Sequence, residues 1–137
     1  MVVVIIAILA SVILVETSSA VKDSKISNLK MNARTLRDQI ARYKWDHEEH
    51  LPTGSNNLHQ LTSSTDVTGA LTAGPGYPFG PYLGILPPNP FTDSSKVRLD
   101  TGSAGTPPTP SGASDAGWIY RAATGEIWAD NSDLINF

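Results

Sequence analysis

The 137-residue chain has no cysteine, so disulfides and thiolate metal sites are both excluded. Its 11 glycines and 10 prolines all follow Leu51. Fifty residues free of both helix breakers favour a long helix, since glycine costs about 1 kcal/mol and proline about 3 kcal/mol in a helix interior. The first fifteen residues, MVVVIIAILASVILV, carry no charge. No basic residue stands ahead of that run. Ser18-Ser19-Ala20 is the only small-residue stretch after it, which argues against a cleaved secretory signal. Positive charge is also in short supply: 10 basic against 13 acidic residues give a net charge of -3. The basic residues read as scattered, not gathered into a stripe, so no nucleic-acid partner is expected. No phosphate-binding glycine loop occurs, and no nucleophile–base pair stands out. The chain reads as non-enzymatic, with no cofactor.

What is present divides into a helical front and a turn-rich back. From Val21 onward Ile26, Leu29, Ala33, Leu36, Ile40 and Tyr43 step by 3, 4, 3, 4 and 3. That spacing gives a helix one apolar seam, and these six residues are expected to pack the helix against a head. Leu51-Pro52-Thr53-Gly54 reads as its stop, with bending or local melting expected at Glu16–Ser19. A short helix is expected near Asn57–Thr62, with Leu58, Leu61, Val67 and Leu71 as anchors, and a strand at Lys96–Leu99. Thr101–Ser114 (TGSAGTPPTPSGAS) reads as a surface loop. Gly117-Trp118-Ile119-Tyr120-Arg121 and Glu126-Ile127-Trp128-Ala129 flank a glycine-containing turn and read as a hairpin. The expected fold is α+β, a long helix packed on a small antiparallel sheet. Its parts are an apolar segment at 1–20 and a head at 21–137. The head comprises helix 21–50, loops 51–116 and hairpin 117–130.

The segment VVVIIAILASVIL, followed directly by an amphipathic helix, resembles the N-terminal segment of type IV pilins and type II secretion pseudopilins. The blocks Pro81-Tyr82-Leu83, Leu86-Pro87-Pro88-Asn89-Pro90-Phe91 and the Gly117–Trp128 hairpin are similar to the major pseudopilin branch. The resemblance implies a lollipop fold and a structural subunit that polymerises with itself into a helical filament. It implies storage in the inner membrane, partnership with pilus or secretion machinery, and a periplasmic or extracellular filament. Val2, Val3, Val4, Ile5, Ile6, Ile8, Leu9, Val12, Ile13 and Leu14 would form the filament core or lie in the membrane. Family members carry a glutamate near the mature start; this chain has no acid before Glu16, as if it began past the leader and the first mature residues. The alternative reading is a membrane-anchored envelope module binding polysaccharide or another polymer without polymerising.

Three clusters invite chemistry. His47 and His50, three apart, would share a helix face and offer zinc two ligands. A solvated helix end is the plainer reading, with histidines favoured near the carbonyl pole. Asp115, Asp130, Asn131 and Asp133 offer oxygen ligands for calcium, and the resemblance to major pseudopilins raises the same ion. Trp118, Tyr120 and Trp128 would make an aromatic platform, although hairpin aromatics more often pack across strands. The hydroxyls of 101–114 resemble an O-glycosylated stretch, with a plain loop as the simpler expectation.

Overall fold

The computed structural model describes residues 2–72, 74–112 and 115–132, without the side chains of 2 and 9–17. Helix α1 spans Val2–Asp46. The stretch 16–19 is helical, not melted, because propagation from turns on either side outweighs local hydroxyl competition. The expected helix to residue 50 ends four residues early. Glu48 and Glu49 adopt positive φ, and the Glu49 amide donates back to the Lys44 carbonyl. This left-handed C-terminal turn satisfies an end carbonyl before proline is reached.

Helix α2 covers Ser55–Thr62, and Asn56, Asn57 and Leu58 take left-handed dihedrals inside it. Asparagine tolerates that region best. The twist buries Leu58 and turns the Asn57 Oδ1 to accept the Val97 amide at 2.9 Å. Leu61 is buried too, whereas Val67 and Leu71 are exposed and are not the anchors expected of them.

Three strands, β1 (Val97–Leu99), β2 (Trp118–Arg121) and β3 (Glu126–Ala129), form a sheet in that order. Strands β2 and β3 are an antiparallel hairpin, but β1 runs parallel to β2 with Val97 opposite Trp118. The sheet is therefore mixed, where an antiparallel one was expected. Parallel neighbours need a long crossover, and residues 100–117 supply it. The hairpin turn closes at Gly125, whose φ of 76° suits glycine and where a Cβ would collide with Leu51. Gly117 similarly lets the Ser94 carbonyl approach too closely for any side chain.

Alternation along the strands sorts the two faces. Trp118, Tyr120, Ile127 and Ala129 join Leu29, Ala33, Leu36, Ile40, Tyr43, Leu58 and Leu61 in one core. The opposite face carries Ile119 and Arg121, both buried. The crossover covers that side as a strap.

Candidate assembly surface

The apolar end of α1 stands clear of the head. Val3, Val4, Ile5, Ile6 and Ile8 are 58–79% exposed. At about 100° per residue they point to all sides. Of the expected filament residues, Val2, Leu9, Val12, Ile13 and Leu14 lie outside the residues whose side chains are described. Ile26 is half-buried, and among the described side chains of the helix Leu29 is the first fully buried one. Residues 2–25 thus form an arm roughly 35 Å long at about 1.5 Å per residue. Among the described residues no helix is long and apolar enough to cross a membrane. Val3, Val4, Ile5, Ile6 and Ile8 thus leave a contiguous apolar surface uncovered.

The remainder of the seam, Leu29, Ala33, Leu36, Ile40 and Tyr43, is buried against the sheet. Two polar contacts fix its register: Asn32 donates to the Pro88 carbonyl at 2.9 Å, and Arg37 donates to the Ile127 carbonyl at 3.2 Å. The core aromatics then tie loops to this frame. Trp118 donates to the Pro87 carbonyl at 2.8 Å, Tyr120 to the Pro52 carbonyl and Tyr82 to Asp46, each at 2.9 Å. Burial pushes the phenols of Tyr43, Tyr82 and Tyr120 above their ordinary value, and for Tyr82 the Asp46 carboxylate adds to it. Trp118 and Tyr120 are thus packed in the core, and Trp128 lies on the other face against Arg121. The three do not form an open platform.

His47 is fully buried, not solvated. Its Nδ1 donates to the Tyr43 carbonyl and its Nε2 meets the Thr65 hydroxyl, both at 2.8 Å. A carbonyl only accepts, so Nδ1 carries a hydrogen. The ring stacks on Tyr43 at 3.7 Å. His50 bonds the His47 carbonyl. With both nitrogens of His47 engaged, the pair offers no zinc site. Among the described residues no group of three metal-ligating side chains comes together.

Of the calcium candidates, Asp115 is exposed, whereas Asp130 is committed to the protein. Asp130 accepts the Ser111 amide at 2.7 Å and its hydroxyl at 2.8 Å, with Arg98 at 3.4 Å. Asp133 lies outside the described residues. Nearby, the buried Arg121 donates to Asp100 at 2.7 Å, Glu126 at 3.0 Å and the Thr106 carbonyl at 2.8 Å. Its guanidinium sits 4.8 Å from the Trp128 ring centre. The hydrogen bond from Arg121 holds the Asp100 carboxyl below the usual range, and that from Thr124 does the same for Glu126. Two arginines therefore fill, between these acids, the role a bound cation would play. The described part of the expected surface loop, 101–112, is a mostly exposed loop pinned as a strap at Thr106, Thr109 and Ser111, with its Pro108 buried.

One pair escaped the sequence reading. Ser63 Oγ and His59 Nε2 lie 3.0 Å apart beside a shallow cleft of about 410 Å³ lined by Leu71, Thr72 and Pro81. Their i, i+4 spacing was the available signal. Among the described residues no carboxylate orients His59, so the pair lacks the third member that activates a nucleophile. Compared with known protein families, curated proteins and solved structures, the chain matches none.

Proposed function

We propose that this chain is the structural subunit of a helical filament of the type IV pilus or type II pseudopilus kind, polymerising through its N-terminal helix. The observation that supports this reading is the arm: five large aliphatic side chains in water, on every face of a helix whose other end is locked into a folded head. Covering them contributes about 5–10 kcal/mol per subunit, taking roughly two-thirds of the 1.5–3 kcal/mol for each side chain. A surface apolar all round is covered best by several neighbouring helices or by lipid. The fifteen-residue run reaches about 22 Å, short of the roughly 30 Å hydrocarbon core. It enters the inner membrane before assembly without requiring a full crossing, and it moves into the filament bundle with little contact with water.

Replacing Ile6 by Asp in the full chain tests the reading. Negative-stain microscopy of sheared surface or membrane fractions should show thin fibres from the parent and none from Ile6→Asp, while the head unfolds at an unchanged temperature. Fibres of normal abundance from the variant would refute it.

A further inference from the structure

The basic residues are not evenly scattered. Seven of the ten lie on α1 between Lys22 and Lys44, opposed there only by Asp23 and Asp38. Residues 46–137 hold three, Lys96, Arg98 and Arg121, with ten of the thirteen acids. Seven against two leaves the 22–44 stretch at +5, three against ten leaves residues 46–137 at -7, and Glu16 completes the net -3. On the helix, Met31, Arg34, Asp38, Arg42 and Trp45 form an exposed stripe. Met31, Asp38, Arg42 and Trp45 each follow a core residue by two positions, about 200° round the helix, so the stripe lies opposite the core seam, with Arg42 bordering the 78–82 loop. Trp45 is 82% exposed. Arg34 and Arg42 form no ion pair among the described residues.

Among the exposed acids outside the stripe, Glu48 and Glu49 follow the helix end, and Asp93 and Asp115 lie apart from it. Asp93 and Asp115 occupy one corner, joined through Ser94, whose hydroxyl donates to the Asp115 carbonyl at 3.1 Å; Lys96 flanks them. This corner lies beside the early part of the head helix. Lys25 sits 5.8 Å from the Phe91 ring centre, and Asn32 bonds Pro88. Arg42 and Trp45 are therefore about 15–30 Å further along the helix axis. Within one chain the Arg42–Trp45 end of the stripe is thus out of reach of that corner.

We propose that the Met31–Trp45 stripe is a docking surface for a second copy of this chain, received by the Asp93–Asp115 corner of the neighbouring head. This rests on the filament reading. Opposite charge on two separate patches of one molecule permits a head-to-tail contact, which builds an open helical filament where its rotation does not close into a ring. Tryptophan and arginine are also the residues that dominate interface energetics.

The absence of cysteine makes the test direct. Full-length chains carrying Ala41→Cys and Ser95→Cys, differently tagged and co-expressed, are treated in membranes with a bismaleimide. A crosslinked heterodimer is expected. Arg34→Glu with Arg42→Glu in the first copy should cut its yield about tenfold, and Asp93→Lys with Asp115→Lys in the second should restore it. Unchanged yield on charge reversal, or no crosslink where Ile6-dependent fibres form, overturns the proposal and leaves the filament reading standing. A rescued crosslink without fibres supports the docking surface and counts against the filament. Loss of binding to phosphatidylglycerol vesicles in Arg34→Glu/Arg42→Glu, with no rescue by the reversed corner, would overturn the proposal in favour of a lipid partner.

Discussion

Replacing Arg121 by Met keeps most of the side-chain volume and removes the charge that organises the outer face of the sheet. Arg121 is 1% exposed and donates to Asp100, Glu126 and the Thr106 carbonyl while its plane lies against Trp128. Deleting one member of a fully buried charge group costs about 3–5 kcal/mol, because the partners stay buried and unpaired. Here the partners are better placed: Glu126 is about one-third exposed, and Thr106 lies at the surface, so both regain water. The expected loss is therefore below that range, about 2 kcal/mol. For a head of roughly a hundred residues this lowers Tm by about 8–16 °C. Thermal melts of the full chain in detergent, followed by near-ultraviolet circular dichroism, measure it. Limited proteolysis should show cleavage shifting into 100–112 as the strap loosens. In an Asp100→Asn, Glu126→Gln background the same replacement should cost clearly less, because the charges it strands are gone. A loss under about 0.5 kcal/mol, or an equal loss in both backgrounds, would refute the argument that Arg121 acts by joining strap to sheet.

The carboxyls of Asp66, Asp100 and Glu126 are held below their ordinary range, so the folded chain binds fewer protons than the unfolded one near pH 4. Their stabilisation is full above that pH and is lost as pH falls, and Tm measured across about pH 3–7 should drop at the acid end, less steeply in Arg121→Met. The raised phenols of Tyr43, Tyr82 and Tyr120 act oppositely, and stability should fall as pH rises past about 10. Leu36→Ala, at a fully buried seam position, should cost about 2–5 kcal/mol in urea unfolding. Isothermal calorimetry with zinc should show no sub-micromolar site at His47, since Tyr43 and Thr65 hold both ring nitrogens. Equally, EDTA should leave Tm unchanged.

The long helix was legible because two signals of different kind coincide: no proline or glycine before Pro52, and a 3–4 apolar spacing that only one helical face can satisfy. The hairpin was legible from β-prone runs about a glycine turn. What failed has a common cause. Whether Val97–Leu99 pairs parallel or antiparallel depends on the path of a strap whose composition looks like plain loop, and that path is set by Arg98, Arg121 and Asp130 from distant positions. His47 looked solvated because its neighbours Glu48, Glu49 and His50 are polar. Only the turn at Glu48–Glu49 and the hydroxyl of Thr65, 18 residues away, make it interior. The helix end was misplaced by the same turn, which uses left-handed glutamates in place of the glycine that would have announced it. For the left-handed dihedrals of Asn56–Leu58 the only sequence signal was the asparagine pair, and Leu58 gave none.

Arm and head share one unbroken rod, with no linker between them. Tension applied to the arm therefore runs along helical hydrogen bonds straight into the Leu29–Tyr43 contacts, where it acts as shear across several buried side chains at once. A flexible joint would let the head swing and peel away contact by contact. A chain built this way yields under load as a single mechanical element, and its weakest point is set by the strength of its core and not by the strength of a hinge.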